Sequence, residues 1–191
     1  MIQIGAIRPV ILPVGQGDQR LSGRQKVVAL SEHARRALVA SMTCTGLILT
    51  DLAKDEDGVP MPTDGLYWSL THKIDYVGAV VAPWPVGIDI EKIKPVGQLL
   101  FRKTAVEKEW ALLDDTPNRC FFRYWTAKEA VLKAAGTGVK DLLKCRIVSI
   151  LDDTHLTVHY QGRDWYVEHI FFNGHIASIT RNACQVEWLQ A

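Results

Sequence analysis

The sequence predicts an α+β fold, built as a pseudo-dimer of two similar halves, each a long helix packed on a small antiparallel sheet. Two long segments carry apolar residues at helical spacing. Short runs of β-branched and aromatic residues, bounded by turn residues, lie between and after them. We expect the halves to be residues 1–93 and 94–191, with a functional site at their interface, although no sequence repeat accompanies this division.

The first half begins with a strand and a long helix. Residues 2–12 are rich in β-branched residues and end in Pro-Val-Gly, which predicts a strand. Residues 31–49 predict the first helix, because their apolar residues repeat at helical spacing and Ser31 can cap the start. Residues 51–65 are polar and contain Gly and Pro, so we expect a loop.

Three short strands complete the first half. We place them at residues 66–70, 76–82 and 86–90, separated by the turn residues His72-Lys73 and Pro83-Trp84-Pro85.

The second half begins with helices. Thr104 to Glu107 has the form T-x-x-E of a capping box, which predicts a short helix through Leu113. Residues 118–135 predict the second long helix, ended by Gly136.

Strands follow to the end of the chain. They are expected at residues 145–151, 155–160, 165–172 and 176–180. Asn173-Gly174 between the last two is a strong hairpin signal.

Composition excludes several functional classes. The 191 residues are 48% hydrophobic and 23% charged with a net charge of +1, so no strong field attracts nucleic acid or a membrane surface. No apolar stretch reaches the ~20 residues of a membrane span. The N-terminus lacks the order of a signal peptide, and we expect a cytoplasmic protein. The cysteines are spaced too widely for a zinc site, and we expect them reduced: Cys44, Cys120, Cys145 and Cys184.

Two acidic clusters about forty residues apart carry the candidate chemistry. Asp89 and Glu91, two residues apart on a strand, project to the same side. Glu129 and Lys133, four residues apart on a helix, share one face, and Lys128 lies at its edge.

Three converging carboxylates repel one another unless a cation neutralises them. Mg²⁺ suits such a set because it takes oxygen ligands and is commonly shared with substrate phosphates, and Mn²⁺ accepts the same ligands. Lys128 and Lys133 would then bind phosphate oxygens. Taken singly, each cluster has an ordinary interpretation: strand-end polarity for one, and for the other a helix salt bridge worth about 0.2–0.5 kcal/mol.

The two clusters together resemble a family signature. G-I-D-I-E at residues 87–91, followed by W-T-A-K-E-A-V-L-K-A-A-G-T-G-V at residues 125–139, is similar to the signature of the 4′-phosphopantetheinyl transferases. The similarity is to the larger, Sfp-like monomeric class. It is dense over residues 66–139 and thin outside them.

The resemblance implies a transfer reaction and a cofactor. The phosphopantetheine arm of coenzyme A, the co-substrate, would move to a serine of an apo acyl or peptidyl carrier protein, releasing adenosine 3′,5′-bisphosphate. Asp89, Glu91 and Glu129 would hold Mg²⁺.

The resemblance also implies roles for single residues. Glu129 would take the serine proton, and Lys133 could assist the leaving bisphosphate. Lys128 and Lys133 would hold phosphates. His72, in a Thr-His pair where the family has Ser-His, would contact a coenzyme A phosphate.

Two departures from the family pattern concern the residues expected near the 3′-phosphate end of coenzyme A. The family usually has G-K-P after the first helix, and Val59 replaces the lysine here. The basic residue for the 3′-phosphate is assigned to Arg36, with Arg35 as the second choice. Two alternatives stay open: a non-catalytic relative that binds coenzyme A or a carrier, and another Mg²⁺-dependent enzyme acting on phosphodiesters or nucleotides.

Overall fold

The computed structural model describes residues 4–112 and 115–190, in which two β-sheets each carry one long helix. The strands are β1 Ala6–Ile7, β2 Val10–Pro13, β3 Tyr67–His72, β4 Tyr76–Ala82, β5 Ile88–Lys92, β6 Arg146–Ile150, β7 His155–Tyr160, β8 Arg163–Phe172, β9 His175–Arg181, β10 Gln185–Val186 and β11 Leu189–Gln190. The helices are α1 Gln16–Gln19, α2 Gly23–Thr45, α3 Gln98–Thr104, α4 Glu107–Trp110 and α5 Pro117–Ala135, and a 3₁₀ turn spans Val139–Asp141.

The two larger sheets confirm the α+β class, and β1 and β10 pair separately as a small parallel sheet. One has the order β11-β2-β4-β3 and the other β5-β9-β8-β7-β6. Helix α2 packs on β4, β3 and β2, whereas α5 packs on β9, β5 and β8. The pseudo-dimer of similar halves stays a prediction.

Hydrogen bonding crosses the expected boundary at residues 93/94 in both directions. Strand β5 precedes it and pairs antiparallel with β9, and β11 at the end of the chain pairs parallel with β2. The division into two domains stays a prediction. None of the described helices has the length and apolar character needed to cross a membrane.

The long helix α2 begins earlier than the sequence pattern predicts. It starts at Gly23, and Ser31 lies inside it instead of capping it. Gly46, with φ of +73°, ends the helix before the expected residue 49. The prediction was wrong at the start because the buried face begins only at Leu30, so the exposed first turns carry no apolar period.

The predicted capping box at Thr104 is also wrong. Thr104 closes α3, where its hydroxyl donates to the Leu100 carbonyl at 2.9 Å. Helix α4 begins three residues later, at Glu107, and the Glu109 carboxylate accepts from the backbone N–H of Val106 at 2.9 Å. The expected end of this helix, Leu113, lies outside the described residues.

The other predicted elements match their sequence signals to within a few residues, although His72, predicted as a turn residue, lies in β3. The stretch 51–65 holds only isolated bridges, and α5 ends at Gly136 with φ of +69°. Asn173 and Gly174, with φ of +45° and +72°, form the turn between β8 and β9. The expected first strand divides around Pro9 into β1 and β2, and its beginning lies outside the described residues.

Gly87 lets β5 lie directly against α5. A Cβ atom built there would lie 1.9 Å from the Ala130 carbonyl oxygen and 2.8 Å from the Ala134 backbone nitrogen. The backbone of Gly87 is also fixed to Thr180, donating to its hydroxyl at 2.9 Å and accepting from its N–H at 3.0 Å. Only a residue without a side chain fits between the strand and the helix.

We expect Gly87→Ala to lower the free energy of unfolding by about 2–3 kcal/mol, because the clash is with backbone that no rotamer change can relieve. Urea denaturation measures it. The matched control is Gly138→Ala, which meets no atom within 4 Å and should change stability by less than about 1 kcal/mol. Equal stabilities of the two variants would contradict the close packing.

A buried histidine in the second sheet makes stability depend on pH. His169 is fully buried, its Nδ1 lies 2.7 Å from the Ser178 hydroxyl, and burial, followed by the Arg123 charge, holds its pKa well below the ordinary value. Below about pH 6.5 the His169 ring is therefore protonated in the unfolded chain but stays neutral in the folded chain. Stability falls as the pH falls.

We expect wild type to lose up to about 1.4 kcal/mol of unfolding free energy per pH unit through His169 between about pH 6 and 5. His169→Gln should remove that part of the slope, whereas His159→Gln, at an exposed position of β7, should keep it. Urea titrations at several pH values measure both. A slope unchanged in His169→Gln would show that this ring does not carry the pH dependence.

Candidate active site

A cavity of about 320 Å³ between β3, β5 and α5 gathers most of the candidate residues. Its walls are Leu70, Thr71, His72, Lys73, Asp89, Glu91, Trp125, Glu129 and Lys133. Because β3 and β5 belong to different sheets, the cavity lies where the two sheets meet under the long helix of the second.

Asp89 is the buried anchor of this cavity. It is 3% exposed. Its Oδ1 accepts from Lys133 Nζ at 2.8 Å and from the Thr71 hydroxyl at 3.1 Å. Its Oδ2 is buried and has no hydrogen-bond partner among the described residues. A buried carboxylate oxygen without a partner is costly, so this atom is available to a ligand.

Glu91 lies two residues further along β5 and is held by two donors. Its Oε1 accepts from Lys73 Nζ at 2.7 Å and from the Trp125 indole N–H at 3.2 Å. Trp125 therefore links α5 to β5 through its polar edge. These contacts fix the side chain of Glu91 at the rim of the cavity.

Glu129 faces these two carboxylates from α5. Its Oε1 is buried and without a hydrogen-bond partner among the described residues. Burial, followed by the negative charge of Asp89, raises the pKa of Glu129, although Lys133 and Lys73 oppose the shift. A carboxylate with a raised pKa is a better proton acceptor than an ordinary glutamate.

Two lysines supply the positive charge of the cavity. Lys133 donates to Asp89 and to the Ile88 carbonyl at 3.0 Å. Burial lowers the pKa of Lys73, but the charge of Asp89 and the hydrogen bond to Glu91 outweigh it and leave the pKa raised. Lys73 is therefore charged at neutral pH.

His72 lines the same cavity at the end of β3. Burial, followed by the charges of Lys133 and Lys73, lowers its pKa. The ring is therefore neutral at pH 7 and can donate one hydrogen bond to a ligand.

A second cavity of about 180 Å³ adjoins the first, since Leu70 and Lys133 line both. Val59 lies in its wall, on a turn that includes Gly58 and Pro60. Lys54, which forms an isolated β-bridge with Pro60, also lines it, with Nζ 5.9 Å from the Trp68 ring centroid. Burial lowers the pKa of Lys54, and the nearby Arg35 lowers it further.

Arg36 does not lie with the other candidate residues. Its side chain is exposed on α2, and neither cavity includes it. Arg35 lines neither cavity, but its charge, after burial, lowers the pKa of Lys54 in the wall of the second. Neighbouring residues on a helix point about 100° apart, so the sequence pattern could not choose between them.

The prediction that Lys128 binds phosphate is wrong. Its side chain is fully buried, and Nζ lies 2.7 Å from Glu109 Oε1 and donates to the Thr104 carbonyl at 2.8 Å. Burial lowers its pKa, against the effect of Glu109. Lys128 thus holds α5 to the end of α3 and to α4, away from the cavity.

The three carboxylates suit a hard cation in their chemistry. Asp89 and Glu129 each present a buried oxygen without a partner, and all three side chains offer oxygen ligands. Burial raises the pKa of Glu129, and the negative charges of Asp89 and Glu91 raise it further. Across residues 4–112 and 115–190, however, no group of three or more His, Cys, Asp or Glu side chains lies in an arrangement that could hold a metal ion as it stands.

Sequence reasoning missed two basic residues of this site. The sequence pattern predicts a turn at Lys73 and no role in a site, yet Lys73 lines the cavity and binds Glu91. Its position next to His72 was a usable signal. Lys54, in a polar loop, carried no signal, because only the folded turn brings it opposite Pro60.

Comparison with known families agrees with this geometry. The sequence profile of the 4′-phosphopantetheinyl transferase superfamily matches residues 85–180, half of the chain, which includes β5, α5 and β6 to β9. The chain belongs to this superfamily. The resemblance of the two acidic motifs is thereby confirmed.

Curated relatives carry the same family name. The chain is 37% identical over 90 residues to the 4′-phosphopantetheinyl transferase HetI of a Nostoc species, an alignment covering 44% of this chain and 38% of the relative. It is 27% identical over 140 residues to psf-1 of Bacillus pumilus, with 65% and 60% covered. For Sfp of Bacillus subtilis the identity is 23% over 142 residues, with 66% and 63% covered. The matched part thus spans less than two thirds of each relative.

We expect Lys128→Met to lower the free energy of unfolding by about 3 kcal/mol, because the buried Glu109 loses its 2.7 Å partner and keeps only the more distant Arg146, at 3.6 Å. Urea denaturation measures the loss. The control is Lys144→Met, which removes an ion pair with Asp141 on an exposed side chain and should leave stability near that of wild type.

Adding Glu109→Gln to Lys128→Met should recover part of the loss, since no buried charge remains unpaired. A single variant as stable as wild type would argue against a structural role for Lys128.

Proposed function

We propose that this protein is an active 4′-phosphopantetheinyl transferase, which moves the phosphopantetheine arm of coenzyme A to a serine of an apo acyl or peptidyl carrier protein. The observation that carries the proposal is the cavity in which Asp89, Glu91 and Glu129 face Lys73 and Lys133. Such a transfer needs charge neutralisation and positioning at a diphosphate more than covalent participation by the protein.

The two adjoining cavities suit the two ends of the nucleotide part of coenzyme A. The diphosphate would lie in the larger cavity, near Lys133 and the neutral ring of His72. The terminal phosphate would lie toward Lys54 and Arg35, which provide positive charge where Val59 has none. A single chain supplies both cavities, which supports a monomeric enzyme.

Asp89, Glu91 and Glu129 would hold the divalent cation, Mg²⁺ or Mn²⁺. When bound, it would neutralise the negative charge of the diphosphate. The unpartnered oxygens of Asp89 and Glu129 support this assignment.

The residues of the chain have distinct tasks in the proposed reaction. Glu129 accepts the proton of the carrier serine as the serine oxygen attacks the phosphorus and the bond from that phosphorus to the bisphosphate breaks. Lys133 stabilises the bisphosphate that leaves, and Asp89 orients Lys133 through their 2.8 Å contact. The nucleophile belongs to the carrier, so the chain needs none of its own.

The direct test incubates the protein with coenzyme A, Mg²⁺ and each of several unrelated apo carrier proteins. Intact mass spectrometry should show one phosphopantetheine added to at least one carrier. Binding of coenzyme A without transfer to any of them would identify a non-catalytic relative. Turnover of coenzyme A without an acceptor would instead identify a phosphodiester hydrolase.

We expect Glu129→Gln to lower the transfer rate at least about 100-fold, because the amide accepts no proton. Stopped assays of carrier mass measure the rate. The matched control is Glu32→Gln, an exposed position of α2, which should transfer at the wild-type rate. A Glu129→Gln variant as fast as this control would refute the assignment of the base.

A further inference from the structure

Lys73 holds a position that neither family membership nor the sequence motifs assign. Its backbone N–H donates to the Tyr76 carbonyl at 2.8 Å and so closes the turn between β3 and β4. From this fixed point its side chain reaches Glu91 on β5, at 2.7 Å. The side chain is 37% exposed and lines the larger cavity.

The charges around the cavity require a cation with free donors. An anionic diphosphate that enters meets three carboxylates, and His72 beside it is neutral. Two of the three N–H donors of Lys133 are used in hydrogen bonds to Asp89 and to the Ile88 carbonyl. Among the described residues, the Lys73 ammonium group donates one hydrogen bond, to Glu91. Two donors of Lys73 are thus available to a ligand.

An ordinary ion pair elsewhere in the fold provides a comparison. Lys92 lies 2.9 Å from Asp75 with its side chain 57% exposed, outside the larger cavity. Exposed pairs of this kind contribute little to stability. If Lys73 only formed an ion pair with Glu91, replacing it would change coenzyme A affinity as little as replacing Lys92 would.

We propose that Lys73 is a substrate-binding residue that bridges Glu91 and the diphosphate of coenzyme A, and that this contact forms without a divalent cation. The inference rests on the proposed function for the identity of the ligand. Lys73 offers a charge-assisted hydrogen bond to a non-bridging phosphate oxygen while its contact with Glu91 keeps the carboxylate in place. Lys73 thus contributes a positively charged side chain to the site formed by the three carboxylates.

Calorimetry with coenzyme A in the presence of EDTA tests this contact. We expect Lys73→Met to weaken coenzyme A binding about tenfold, the loss of one charge-assisted hydrogen bond. Lys73→Arg should bind within about threefold of wild type, and Lys92→Met should bind as wild type does. Inorganic pyrophosphate, as a second probe, should show the same loss with Lys73→Met.

Several outcomes would overturn the proposal. They are wild-type affinity in Lys73→Met, an equal loss in Lys92→Met, a loss for coenzyme A but not for pyrophosphate, or no wild-type binding in EDTA. The carrier assay separates this inference from the proposed function. Transfer by wild type with unchanged affinity in Lys73→Met would remove only the role of Lys73. Loss of affinity without any transfer would remove only the proposed activity.

Discussion

The contact between β5 and α5 at Gly87 is the constraint on which the site depends. Because a Cβ atom there would lie 1.9 Å from the Ala130 carbonyl oxygen, the strand and the helix approach until backbone meets backbone. Asp89 lies two residues along the strand from this point, and Glu129 and Lys133 lie beside it on the helix. The close approach brings Lys133 within 2.8 Å of Asp89. A wider separation would divide the carboxylates between two surfaces.

Two groups of buried charge in this fold differ in how fully they are satisfied. Lys128 and Glu109 form a closed pair, in which Glu109 also accepts from the backbone N–H of Ile147 at 2.8 Å. Asp89 and Glu129 each keep a buried oxygen without a partner among the described residues. Folding tolerates such oxygens where a ligand can satisfy them. The contrast separates the acidic residue that stabilises the fold from those available for chemistry.

Much of the fold could be predicted from local signals. Helix α5 and the hairpin at Asn173-Gly174 follow from helical spacing, a terminal glycine and a turn dipeptide, which act over a few residues. The start of α2 could not be predicted, because its first turns are exposed and carry no apolar period. The pairing of β11 with β2 could not be predicted either, since it joins residues from the two ends of the chain.

The sequence by itself determined which carboxylates belong together. Asp89 and Glu91 share a strand face, Glu129 and Lys133 share a helix face, and the order of the motifs indicates the family. Only the tertiary structure decided which lysines join them. Lys128, inside the motif, is turned into the core toward Glu109, and Lys73, outside it, reaches Glu91. The period of a helix or strand sets the direction in which a side chain leaves it, but tertiary packing decides which neighbouring element lies in that direction.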